Sequence, residues 1–169
     1  MNAVIVYESF WGNTAAVARA IAEGIGPGAA ALTTDEATPD VVADADLLVV
    51  GAPVLGFRLP TDAIRDGLLR EYGAPTPPDT RHPSMRAWLD ALPRGTAPVV
   101  AFETRFRFSP GGSIGAITDG LERAGYRALT KGKKFLVAGK YGPLKEGELD
   151  RAREWGTALA TAAQDGPPS

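Results

Sequence analysis

The sequence predicts a doubly wound α/β domain: a parallel sheet covered by helices on both faces. Three observations carry that prediction. Short apolar runs recur along the chain without polar alternation, as strands buried on both faces require. Amphipathic helical stretches separate them, so strand and helix alternate throughout. A chain of 169 residues, 44% of them hydrophobic, is enough for one such domain with its own core.

The elements follow in order. Ala3–Tyr7 is the first strand, and Thr14–Glu23 the first helix, with Val17 and Ile21 on one face and Gly24 as its stop. Ala29–Thr33 is a weaker strand and Leu47–Gly51 a strong one. Thr61–Arg70 reads as a helix presenting Ile64 and Leu68, capped by Thr61 after Pro60. Gly73–Pro83 holds Pro75, Pro77, Pro78 and Pro83, and is expected to be a loop interrupting the third crossover. Ser84–Leu92 is helical, with Met85, Trp88, Leu89 and Leu92 on one stripe. Pro98–Phe102 is a strand, Ser113–Ala124 a helix carrying Ile114, Ile117 and Leu121, and Phe135–Ala138 the last strand. Leu144–Ala163 closes the chain as a helix with Leu149, Ala152, Trp155, Leu159 and Ala163 aligned. Trp88 and Trp155 are assigned to the core. Residues 1–165 are expected to form one domain, and Gly166–Ser169 to fray.

Composition excludes several kinds of chemistry. There is no cysteine and one histidine, His82, so no disulfide, zinc finger, iron–sulfur cluster or thiol nucleophile is available. A cysteine-free chain fits the cytoplasm. The net charge of −2 is unlike that of a dedicated nucleic-acid binder. It is unevenly spread: residues 1–57 carry seven acids and only Arg19 as a base, while residues 58–107 and 108–169 each have two more bases than acids. The N-terminus lacks the basic stretch of a signal peptide, and the apolar run Leu47–Phe57 is too short to span a bilayer.

In an open parallel sheet the ligand site lies beyond the C-terminal strand ends, so the loops there hold the candidate residues. The first, Glu8-Ser9-Phe10-Trp11-Gly12-Asn13-Thr14, runs from a strand into a helix. Unpaired N–H groups at a helix start, with the Ser9 and Thr14 hydroxyls and the Asn13 amide, make a phosphate cradle that needs no lysine. The same residues also suit an ordinary helix start capped by Asn13 or Thr14. Three motif matches are decoys. Gly24-Ile25-Gly26-Pro27-Gly28-Ala29 fits a dinucleotide fingerprint but follows a helix and precedes a strand. Gly111-Gly112-Ser113-Ile114-Gly115 fits a nucleophile elbow, but His82 precedes it, the reverse of the hydrolase order, so Ser113 is read as a helix cap. Lys131-Gly132-Lys133-Lys134 has no aromatic platform and reads as a solvated turn.

With these loops in place, the chain resembles the flavodoxins over nearly its whole length. Ser9-Phe10-Trp11-Gly12-Asn13-Thr14 matches the family's phosphate-loop pattern at Ser9, Gly12 and Thr14, with Asn13 common at its position. Trp11 replaces the middle threonine, which removes one hydroxyl and leaves a backbone N–H. Pro53-Val54-Leu55-Gly56-Phe57 aligns with the loop over one face of the flavin ring. There Leu55 or Phe57 stands where the family often has Trp, and Gly56 at the glycine whose peptide reverses toward the flavin N5. Glu103-Thr104-Arg105-Phe106-Arg107-Phe108 corresponds to the loop at the pyrimidine end, with Phe106 or Phe108 as the stacking aromatic. The segment from Gly142 to Trp155 resembles the last helix of a bacterial subgroup.

The resemblance implies a flavodoxin-like five-stranded sheet in the order 2-1-3-4-5 and FMN as cofactor. It implies a monomeric carrier of single electrons, cycling the flavin through semiquinone and hydroquinone. The partner is a flavodoxin or ferredoxin reductase or an acceptor enzyme, met by transient contact. Two alternatives stand beside it. One is an FMN-dependent quinone reductase or protoporphyrinogen-oxidase-like enzyme of the same fold. The other is a flavin-free binding module, suggested by Trp11 and Leu55. Arg58, Arg105 and Arg107 on the flavin loops depart from the family's acidic rim; they are read either as attracting an anionic molecule or as loop charges paired with Glu103 or Asp62.

Overall fold

In the computed structural model, which describes residues 1–166, one six-stranded sheet forms the centre. The expected fraying of the tail lies outside the described residues, except for Gly166, which ends the last helix. Strands β1 (Ala3–Tyr7), β2 (Ala29–Thr33), β3 (Leu47–Pro53) and β4 (Pro98–Arg105) are parallel in the order β2-β1-β3-β4. The far edge is split between β5 (Arg127–Ala128) and β6 (Lys133–Leu136), which pair with the two ends of β4. The sheet therefore has the expected 2-1-3-4-5 order, plus a sixth strand. The last strand is expected at Phe135–Ala138 but starts at Lys133; lysines are tolerated there because the strand is only partly covered, Lys133 half-buried and Lys134 exposed.

Successive side chains of a strand point to opposite faces, and the core divides accordingly. Ala3, Ile5, Leu47, Val49, Val100, Phe102 and Phe135 pack under α1 (Asn13–Ile25) and α6 (Glu148–Asp165). Val4, Val6, Leu48, Val50, Val99 and Ala101 face α4 (Met85–Asp90) and α5 (Ile114–Arg123). Trp88 and Trp155 sit in these opposite layers, as assigned, and the Trp88 indole N–H donates to the Ala37 carbonyl at 3.0 Å.

One helix escapes the sequence reading: α2 (Pro39–Ala43), a five-residue turn with Pro39 in its first turn and only Val42 buried. It is too short to show helical periodicity. Helix α3 (Asp62–Leu68) is capped by the Thr61 hydroxyl, which accepts from the Ile64 N–H at 3.2 Å. Between α3 and α4 the proline-rich segment is irregular, as expected, but it folds back over the first loop. The Asp79 N–H donates to the Phe10 carbonyl at 2.9 Å, and the Trp11 indole donates to the Thr76 carbonyl at 3.0 Å. No helix among the described residues is long and apolar enough to cross a membrane.

Candidate functional site

Strands β1, β3 and β4 stay in register to their C-terminal ends, with Tyr7 beside Gly51 and Gly51 beside Phe102. The loops leaving them converge on one edge of the sheet. Ser9, Phe10, Trp11, Asn13, Thr14, Pro53, Val54, Leu55, Thr104, Arg105 and Phe106 line a single cleft there. It is narrow, about 30 Å³; a separate cavity of about 400 Å³ adjoins it, sharing Val54, Leu55, Phe106 and Lys140 and lined also by Gly56, Phe57, Ile64 and Leu68.

The cap of α1 is Gly12, not Asn13 or Thr14. Gly12 has φ of +92°, a left-handed conformation that a residue with Cβ resists, and no side chain closes the helix start. The first-turn N–H groups of Asn13, Thr14 and Ala15 are therefore left to an outside acceptor. The Ser9 Oγ accepts from the Gly12 N–H at 3.1 Å, which leaves its own proton to donate. The Thr14 hydroxyl is instead tied to the Thr104 hydroxyl at 2.8 Å, both side chains being buried. The half-buried Trp11 ring stands edge-on to Tyr141 with centroids 4.6 Å apart. Tyr141 in turn donates to Glu71 at 2.9 Å, and Glu71 also pairs with Lys140.

The second loop is a two-residue hairpin. Leu55 and Arg58 pair in antiparallel fashion across Gly56 and Phe57, whose φ values of +60° and +66° are those of a type I′ turn. Gly56 meets that demand freely; Phe57 does so under strain. The Arg58 Nε donates to the Gly56 carbonyl at 3.3 Å, and the Gly112 N–H donates to the Phe57 carbonyl at 3.1 Å, locking this turn to the third loop.

The third loop begins later than the sequence suggests. Pairing with β6 extends β4 through Glu103, Thr104 and Arg105, so only Phe106 onward is loop. Glu103 is 1% exposed and its side chain lies outside the cleft lining. Its Oε1 accepts the N–H groups of Ser113 and Ile114, both at 3.0 Å, and its Oε2 binds Arg105 at 2.8 Å. Glu103 thus satisfies the start of α5. The Ser113 side chain, expected to cap that helix, donates to the Pro53 carbonyl at 2.8 Å instead. Arg105 is buried, paired with Glu103 and donating to the Gly111 and Ser109 carbonyls. Arg58 and Arg107 are exposed and make no ion pair among the described residues.

A fourth loop was missed. Val137 and Lys140 complete the cleft lining, and Gly142 packs so closely on Asn13 that a Cβ would lie 2.6 Å from its Oδ1. The signal was available: Gly139-Lys140-Tyr141-Gly142-Pro143 also follows a strand end.

Behind the first loop lies a second cavity of about 280 Å³, lined by Glu8, Arg65, Asp79, Arg81 and His82 among others. Glu8 is 6% exposed. Burial pushes its carboxyl up to about 7, against the lowering effects of the Met85 N–H and of Arg65. The Arg65 Nε stands 3.5 Å from the Glu8 Oε2, and the Glu8 Oε1 has no hydrogen-bond partner. Asp79 is held below its usual range by the Arg81 guanidinium, and Asp35 by the Thr33 hydroxyl. No group of carboxylates and histidine among the described residues is placed to hold a metal ion.

The residues present fit a ligand with an anionic end and a flat apolar body: N–H groups and a free hydroxyl proton at the start of α1, then the adjoining cavity between Leu55 and Phe106. No protein-family model matches the chain, and no curated protein matches it in sequence. Solved structures do match in fold. A flavodoxin from the domain Archaea superposes with a TM-score of 0.64 at 18% identity, over 97% of this chain and 99% of that one. The two-electron-reduced flavodoxin of Megasphaera elsdenii gives 0.59 at 20% identity, over 94% and 98%. The oxidised flavodoxin 2 of Bacillus cereus gives 0.60 at 14% identity, over 98% and 99%. These likenesses define the class: the chain has the flavodoxin-like fold.

Proposed function

We propose that this chain is a flavodoxin: a monomeric, cytoplasmic FMN-binding electron carrier, built as one domain over residues 1–165. The observation that carries the reading is the single cleft in which an uncapped helix start adjoins an apolar slot. The solved structures similar in fold include a flavodoxin in a two-electron-reduced state and another in an oxidised one, which supports a redox role.

FMN, when bound, supplies electron uptake and release. The chain's own residues do the rest. The N–H groups of Asn13, Thr14 and Ala15 and the hydroxyl of Ser9 hold the phosphate, with the α1 dipole favouring its charge. Thr14 contributes by fixing the loop to Thr104. Leu55 and Phe106 flank the ring and exclude water from it. The Gly56–Phe57 peptide reverses at low cost, because a type II′ turn needs positive φ only at Gly56 and relieves Phe57.

FMN titration with a fluorescence readout tests the proposal. The expected result is stoichiometric quenching with a dissociation constant at or below micromolar. A colourless protein that leaves micromolar FMN fluorescence unquenched overturns it and favours a flavin-free binding module.

A further inference from the structure

The rim of the cleft carries exposed aromatic and basic side chains, of which the cofactor reading uses only Phe106. Phe57, Phe106 and Phe108 are 61%, 44% and 90% exposed at the tips of two adjacent loops. The two tips are bound to each other through the Gly112 N–H and the Phe57 carbonyl, so they form one surface. Arg58 and Arg107 stand among these rings, exposed and without ion pairs among the described residues, and the Arg107 guanidinium lies 5.6 Å from the Phe108 ring centroid. Neither residues 54–60 nor residues 106–112 contain an acid. Exposed aromatics beside arginine are the residues that anchor protein interfaces, and two cations without ion pairs favour a partner of negative charge.

We propose that the Phe57-Arg58 and Phe106-Arg107-Phe108 tips form a docking surface for a protein with an acidic patch. A flat anionic bilayer suits the surface less well. Two cations contribute only about 1 kcal/mol each at such a membrane, and the exposed Asp62 and Asp66 on neighbouring α3 would be pressed against it. A protein contacts a bounded area and avoids those acids. The inference deepens the electron-carrier reading by naming the partner's chemistry, but the polypeptide alone makes the surface, so its test needs no flavin.

The nitrogen-15-labelled chain is titrated with an acidic plant-type ferredoxin and, separately, with basic mitochondrial cytochrome c. Ferredoxin is expected to shift the amides of residues 55–58 and 106–112, and cytochrome c to leave them unmoved. Raising salt to about 0.3 M, where the Debye length is about 6 Å, should weaken the ferredoxin contact. The double variant Arg58→Glu, Arg107→Glu should weaken it about tenfold at low salt. Shifts that map elsewhere, an equal response to cytochrome c, or no response to ferredoxin overturn the proposal. So does binding to phosphatidylserine vesicles that the double variant abolishes. A chain that gives the expected shifts but binds no FMN loses the cofactor reading and keeps the docking surface. One that binds FMN without the shifts loses only the surface.

Discussion

Glu8 offers a direct test of how the first loop is supported. Its carboxyl is buried behind that loop, accepts the Met85 N–H at 3.2 Å, and titrates near 7 instead of the ordinary 4.5. The folded state therefore holds this proton more tightly than the unfolded chain. Stability from this group is greatest below about 4.5, where both states are protonated, and falls as pH rises to about 7, beyond which the loss is constant. At 1.36 kcal/mol per pH unit, a rise of that size is worth about 3 kcal/mol. Glu8→Gln keeps an acceptor for the Met85 N–H and removes the titration. Urea denaturation of both proteins from pH 4.5 to 8 reads the effect, since the other titrating groups are common to both and cancel in the difference. The wild-type protein should lose about 3 kcal/mol relative to the variant across that range. Parallel pH profiles would refute the reasoning, because they would mean that Glu8 is no harder to ionise in the fold than in the unfolded chain.

Three further substitutions probe the other supports of the cleft. Glu103→Ala leaves Arg105 buried without its partner and two helix N–H groups unsatisfied. The expected loss is about 4 kcal/mol by urea denaturation, and a loss of about 1 kcal/mol or less, typical of an exposed pair, would contradict it. Thr104→Val strands the buried Thr14 hydroxyl and should cost about 1 to 2 kcal/mol by the same measurement, an unchanged midpoint counting against the pairing. Phe57→Gly should raise stability by about 1 kcal/mol, because the side chain at φ of +66° is mostly exposed and its backbone is strained; a lower thermal midpoint would show that the ring is anchored.

Much of the fold and part of the site is determined by the sequence alone. The apolar run Ala3–Tyr7 marks its strand to the residue, because a strand covered on both faces has no polar position to blur its ends. The helices follow from their periodicity, and the cleft-lining loops at Ser9–Thr14 and Pro53–Phe57 from the rule that ligands sit beyond parallel strand ends. Only the tertiary structure decides how side chains at that edge are shared out. Glu103 and Ser113 are ten residues apart and read as a loop acid and a helix cap. Folding exchanges their tasks, because extending β4 carries the carboxylate to the start of α5. Thr14 and Thr104 bond across ninety residues, and the proline-rich segment closes over Phe10 and Trp11. Sequence periodicity reports which face of an element is covered. Which polar group satisfies which other depends on distances that only the packed elements create.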